Sequence, residues 1–258
     1  MTRTWPSIAA GAEPRAAALA GWLRRAARAG DPAWVVRGSI CTATWCPDAR
    51  PPADVDYVAP GTAADFDDAA LRARLHAIAE APDATTAMTL DHTEVIWAES
   101  PAPGVRGHVI AQAAGVEVRF QVDLAVGDPM CVPPRTLDVA DVGPVLACAP
   151  ETLFGWKLHG LAEFGRGKWR AKDLFDLDLL WRHVALEPAA ARAAIELAFG
   201  SRALPLAALD DFRTRDGWGL SSGGRRKWRQ LARGHAAVDE LVATRDRVRA
   251  AVAALLGP

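Results

Sequence analysis

A chain of 258 residues that is 50% hydrophobic and 24% charged is long enough to bury a substantial core, in one large domain or two modest ones. It has no apolar run near the roughly 18 residues of a membrane span, and Glu13 and Pro14 precede an arginine-rich segment where a signal peptide would need its apolar core, so a cytoplasmic protein is expected. The net charge of −1 hides an asymmetry: residues 31–150 hold 17 acidic against 7 basic side chains, and residues 201–258 hold 11 basic against 6 acidic, so one region suits cations and the other polyanions, unless both are merely solvated surfaces.

Residues 14–29 have the content of an amphipathic helix that stops at Gly30 before Asp31-Pro32. A strand is expected over 34–37, with Gly38-Ser39 turning into a short helix that runs to about Trp45. A second strand follows over 54–58, then a helix over 67–78. Residues 85–126 have β character, and from 116 to 124 Val116, Val118, Phe120, Val122 and Leu124 alternate with Glu117, Arg119, Gln121 and Asp123, the mark of a half-buried strand. Helical periodicity takes over at 150–164, 171–183, 187–199 and 236–255. The cysteines Cys41, Cys46, Cys131 and Cys148 match no zinc or redox spacing and are read as small buried side chains in a reducing compartment, and the six histidines, which form no metal-ligand spacing, as structural or exposed.

The chemistry-bearing pattern is Gly38-Ser39 followed by Asp54-Val55-Asp56. Alternation along a strand puts Asp54 and Asp56 on one side, where two carboxylates repel unless a cation lies between them. Asp123, on the polar side of another strand, would complete a trio if the strands are neighbours, and such oxygen ligands suit Mg²⁺ held together with substrate phosphates. A glycine permits close approach of a phosphate, and Ser39 adds a hydroxyl and nearby amides. Taken singly, Gly-Ser is mostly a turn and Asp-x-Asp mostly a solvated loop or cap. Lys157 stands in the apolar helix of Leu153, Phe154, Trp156, Leu158 and Leu161, where its ammonium needs an anionic partner or solvent. Asp173 and Asp176 share a helix face, with Lys172 as a possible i, i+4 partner of Asp176. Arg225, Arg226, Lys227, Arg229 and Arg233, interleaved with Trp228 and preceded by Trp218, form a basic-aromatic stretch able to hold an RNA backbone and stack a base, or else a solvated face.

The stretches "WVVRGSICTATWCPDARPPADVDYV", "VEVRFQVDLAVGD" and "PETLFGWKLHGLAEFGRGKWRAKDLFDLDLL" resemble, in this order, segments of the AbiEii/AbiGii-type nucleotidyltransferases of bacterial toxin–antitoxin and abortive-infection systems, which belong to the DNA polymerase beta-like superfamily. The likeness spans roughly residues 33–183. It implies that Gly38, Ser39 and Arg50 serve a nucleoside triphosphate, that Asp54, Asp56 and Asp123 hold Mg²⁺, two ions in the usual scheme, and that Lys157, Asp173 and Asp176 occupy the later positions of the motif set. Arg37 stands where the family has its first glycine, and Phe175 where tyrosine is frequent.

The expected fold is therefore α/β, with a small mixed sheet forming a nucleotidyltransferase domain over residues 1–145 and a helical region over 146–258 completing the cleft. The expected reaction moves a nucleoside monophosphate from a triphosphate to an acceptor hydroxyl. The resemblance and the basic stretch favour a tRNA 3′ end, contacted through Arg225, Arg226, Lys227 and Arg229, in a toxin with a cognate antitoxin. An antibiotic or metabolite hydroxyl is the competing acceptor, and a protein-modifying enzyme or inactive binding module the third possibility.

Overall fold

Seven strands order themselves as β3-β4-β5-β2-β1-β7-β6 in a single mixed sheet. They are β1 (Val35–Arg37), β2 (Val55–Ala59), β3 (Thr86–Ile96), β4 (Gly104–Ala113), β5 (Val116–Val126), β6 (Arg135–Val139) and β7 (Gly143–Ala147). The structure, a computed structural model, describes residues 13–29, 34–235 and 237–257, so the helix stop expected at Gly30-Asp31-Pro32 lies outside the described residues. The chain divides into two compact units, one with the described residues up to Pro47 together with Pro51–Asp128 and Pro134–Cys148, the other with Asp48–Arg50, Pro129–Pro133 and the residues from Ala149 onward.

The first unit contains the whole sheet and α1 (Pro14–Arg28), α2 (Ser39–Trp45) and α3 (Asp68–Glu80). Proline at the start of α1 suits a position whose amide has no helical partner, and Leu19, Trp22 and Leu23 are buried on the side that packs against β3, β4 and β5. Arg25, although buried, is satisfied by the carbonyls of Ala81, Gly21 and Thr86 and by the Thr86 hydroxyl, which ties α1 to the start of β3. The long β3-β4-β5 meander follows the alternation: Val118, Phe120, Val122 and Leu124 are buried, while Val116 at the strand start is 49% exposed. β6 and β7 form a hairpin that the sequence pattern did not announce. β2 begins one residue later than expected, leaving Asp54 just ahead of it.

The second unit is helical: α4 (Pro150–Lys168), α5 (Ala171–His183), α6 (Pro188–Gly200), α7 (Asp210–Thr214), α8 (Ser222–Gly234) and α9 (Leu241–Leu256). α4 breaks its helical geometry at Gly165. The basic stretch is itself a helix, α8, capped by the Ser221 hydroxyl, which accepts from the Gly224 amide. Trp228 is 5% exposed and Trp218 2%; with Trp169 they form an indole cluster, centroids 5.0 Å apart for Trp169–Trp218 and 6.4 Å for Trp169–Trp228. The ring expected to stack on a base is thus a core side chain, because an α8 with arginines on one side must bury its other side.

That packing rests on a close approach. A Cβ built on Gly224 would lie 2.0 Å from the Gly219 carbonyl oxygen, whereas at Gly223 the nearest heavy atom, the Ser221 hydroxyl, is 4.0 Å away. Gly224→Ala should therefore destabilise the protein by about 1–3 kcal/mol, and Gly223→Ala should be neutral or stabilising by up to about 1 kcal/mol. Paired thermal or denaturant melts check both.

Candidate active site

In the first unit one row of charges crosses five strands. Strand registers set Glu94 of β3 beside Arg106 of β4, Arg106 beside Asp123 of β5, Asp123 beside Asp56 of β2, and Asp56 beside Arg37 of β1. Register partners share a face of the sheet, so the two acids meet in the middle with a guanidinium on either side. Arg106 grips Asp123 bidentately, Nε to Oδ1 at 2.7 Å and Nη2 to Oδ2 at 2.8 Å, and this pairing holds the guanidinium above its ordinary pKa. Arg37 donates to Asp128; burial opposes its charge, but Asp128 and Asp56 outweigh that and raise its pKa.

Gly38 closes over this row. It has φ +75°, a region that favours glycine, and a Cβ there would fall 2.3 Å from Asp56 Oδ2. Backbone conformation and contact with the carboxylate both exclude a side chain. The Ser39 hydroxyl donates to Asp54 Oδ1 at 3.3 Å, so the Gly38-Ser39 turn touches both acids of the Asp-x-Asp pair. Asp54 and Asp56 are each partly exposed; Asp123 is 7% exposed.

The donor chemistry suits a hard divalent cation at Asp54 and Asp56, and the side-chain-free approach at Gly38 leaves room against Asp56. Asp123, beside Asp56 in register, accepts one hydrogen bond from Arg106 on each oxygen and keeps a further lone pair on both. Among the described residues no group of three or more His, Cys, Asp or Glu side chains is arranged to hold a metal ion.

The second unit has its own charged cluster. Lys157 of α4 donates to Asp176 of α5 at 2.6 Å and lies 3.5 Å from Asp173; Asp176 also accepts from Arg50 at 3.2 Å, and Asp173 pairs with Arg170 at 3.1 Å. Asp176 is fully buried and Lys157 8% exposed. Burial disfavours both charges, yet Lys157 and Arg50 keep the Asp176 carboxyl below its usual pKa, and Asp176 with Asp173 keeps Lys157 above its own. The partner of Asp176 is thus Lys157, 19 residues away, in addition to Arg50.

The chain matches the family described as "Nucleotidyl transferase AbiEii toxin, Type IV TA system" over residues 22–254. It belongs to that family. Its fold is similar to the crystal structure of JHP933 from Helicobacter pylori, with a TM-score of 0.55 at 16% identity, covering 92% of this chain and 88% of that one. A second Helicobacter pylori protein, described as a candidate nucleotidyltransferase, aligns with a TM-score of 0.50 at 13% identity over 90% of this chain and 88% of its own. No curated protein sequence matches the chain. As a family member it is a nucleotidyltransferase with the mixed α/β fold expected above, and among the described residues no helix is long and apolar enough to cross a membrane.

Sequence reading missed Arg106, Glu94 and Asp128. The available signal was the alternation Arg106, His108, Ile110 in β4, which puts Arg106 on one face with its neighbours but cannot say which residue of β5 it meets. For Lys157 the missing information was its partner.

Lys157→Met should therefore lose stability as well as charge, about 3–5 kcal/mol for breaking a buried pair. Asp176, with its lowered pKa, contributes stability above its unfolded value near 4, lost as pH falls through the folded one; Lys157, raised, contributes below about 10.4, lost as pH rises through its folded value. The gap between parent and variant should be widest between about pH 4 and 10 and should narrow in acid. Denaturant unfolding across that range measures it.

Proposed function

We propose that the protein transfers a nucleoside monophosphate from a nucleoside triphosphate to the 3′ hydroxyl of an RNA, with tRNA as the acceptor and pyrophosphate as the leaving group. The observation that carries this reading is the Gly38-Ser39 turn touching both Asp56 and Asp54, a constellation that serves a triphosphate and the acids beside it.

Asp54 and Asp56, with Asp123 beside them, would hold Mg²⁺, which when bound supplies positive charge to the acceptor oxygen and to the departing pyrophosphate. Gly38 lets the triphosphate approach the backbone, and Ser39 orients Asp54. Asp123, fixed by Arg106, keeps a carboxylate beside Asp56 whose charge is already balanced on one side. The family likeness implies a role for Lys157 and Arg50 toward nucleotide charge, and within the second unit Asp176 and Asp173 hold the lysine in place. Catalysis in this scheme is largely positioning and electrostatics.

The RNA assignment is supported by α8, where Arg225, Arg226, Arg229 and Arg233 are all exposed. Lys227 differs, since its ammonium donates to the carbonyls of Gly167 and Trp169 and so serves the fold. Membership of a type IV toxin–antitoxin family supports a cognate antitoxin as partner.

Incubation with each labelled nucleoside triphosphate, Mg²⁺ and total RNA should label the tRNA fraction, and Asp56→Ala should abolish labelling while the variant still melts cooperatively. Full activity in that variant would remove the assignment. In the triple variant Arg225→Gln, Arg226→Gln, Arg229→Gln, RNA affinity should fall for every sequence and its log–log salt slope should become shallower by about 0.7–0.9 per arginine. An unchanged salt slope, with transfer to a small hydroxyl compound instead, would favour the metabolite acceptor.

A further inference from the structure

Next to the row of charges the same face of the sheet opens into a cavity of about 380 Å³, whose polar lining is Asp54, Asp91, His92, His108, Gln121, Arg15 and Arg119. Strand registers explain its make-up. His92, His108 and Gln121 are cross-strand partners on β3, β4 and β5, two residues along from Glu94, Arg106 and Asp123 and hence on the same face, roughly 7 Å away. The imidazoles of His92 and His108 stack with centroids 3.9 Å apart and planes 12° from parallel, and the His92 side chain is 57% exposed. Each ring has one nitrogen paired with a carboxylate, His92 Nδ1 with Asp91 at 3.0 Å and His108 Nε2 with Glu94 at 3.1 Å, and each keeps a second nitrogen outside those pairs. Arg15 Nη1 donates to the carbonyls of Ala53 and Arg119, which fixes the guanidinium of α1 between the residue before Asp54 and the middle of β5. Arg119 pairs with Glu117 and is 65% exposed.

We propose that this cavity is the acceptor subsite and seats the 3′-terminal nucleotide of a single-stranded RNA, an inference that rests on the nucleotidyltransfer reading above. The charges set the ligand's polarity. With Arg15 held against the Ala53 and Arg119 carbonyls, the Asp54 carboxylate accepts from a hydroxyl and the exposed Arg119 guanidinium attracts an anion. Between them lie a flat aromatic surface and hydrogen-bonding edges, a combination that holds a base by its face with little sequence preference. A nucleotide at the 3′ end of a chain has this arrangement: a free hydroxyl at one end, a base in the middle and a phosphodiester leading away at the other, here past the exposed Arg119. The cavity is of nucleoside scale, at the small end of the range for ligand sites.

The test follows the His92 and His108 ring signals by NMR in the full chain, assigned with His92→Gln and His108→Gln, alongside the Gly38 and Ser39 amides. Without Mg²⁺, a short single-stranded RNA of mixed sequence with a free 3′ hydroxyl should shift both rings, and the same RNA ending in a 3′ phosphate should bind roughly tenfold more weakly or worse because its added charge meets the bare Asp54 carboxylate. Arg119→Gln, an exposed substitution, should weaken the free-ended RNA severalfold and leave nucleoside triphosphate binding as it was. The triphosphate alone should move the Gly38 and Ser39 amides and leave the rings still. If RNA binds without moving the rings, or if the triphosphate moves them, the acceptor assignment is overturned while the transferase reading stands. If the triphosphate leaves Gly38 and Ser39 untouched, the transferase reading fails, and the ring shifts with RNA still decide the cavity. A 3′-phosphorylated RNA that binds as well as the free-ended one also overturns the proposal.

Discussion

Two carboxylates side by side on a sheet are the constraint around which the first unit is arranged. Asp56 and Asp123 are register partners on neighbouring parallel strands, a placement that costs energy unless positive charge is close. The sheet supplies that charge from its own side chains. Arg106 and Arg37 stand in the flanking strands of the same row, and Glu94 and Asp128 in turn balance them. The acids are thereby kept together in a folded protein without waiting for a ligand, and their spacing is set by backbone pairing across β1, β2, β5 and β4. Gly38 completes the arrangement from above, since a side chain there would displace the carboxylate that the row positions.

The helical unit solves a related problem by burial. α5 buries three carboxylates, Asp173, Asp176 and Asp178, each met by two cations of the unit: Arg170 and Lys157, Lys157 and Arg50, and Arg247 with Arg182 of α5 itself. An unpaired charge in such surroundings would be strongly disfavoured, so each cation is held in one geometry by the need to satisfy its acid. Lys157 is consequently oriented by the protein. The cost is that its function and its contribution to the fold are coupled, and variants at this position report on both.

The sequence made local periodicity readable and left register obscure. The β5 alternation, the α4 to α6 helices and the turn at Gly38-Ser39 were legible because each depends on neighbours within a few residues. The hairpin of β6 and β7 was not, because its five-residue strands mix Arg135, Asp138 and Pro144 with apolar residues and give no clean alternation. α8 was absent from the helical periodicity because Ser221-Ser222-Gly223-Gly224 has the composition of a turn, yet Ser221 is its cap and Gly224 its contact with the Gly219 backbone. Among candidate site residues, Asp54, Asp56 and Gly38 stood out as a short motif. The grip of Arg106 on Asp123 spans two strands and depends on how a long hairpin is aligned, which single-residue patterns do not encode.

α8 divides its labour between two sides. Trp228, Gly224 and Lys227 face the unit's interior or its backbone and are held there, while Arg225 and Arg229 donate only to carbonyls of their own or the adjoining segment. Such an outer face is open to evolutionary drift. Its charges can be gained, lost or reordered from one lineage to the next at almost no expense to folding, so whatever binds there can change while the indole cluster beneath stays the same.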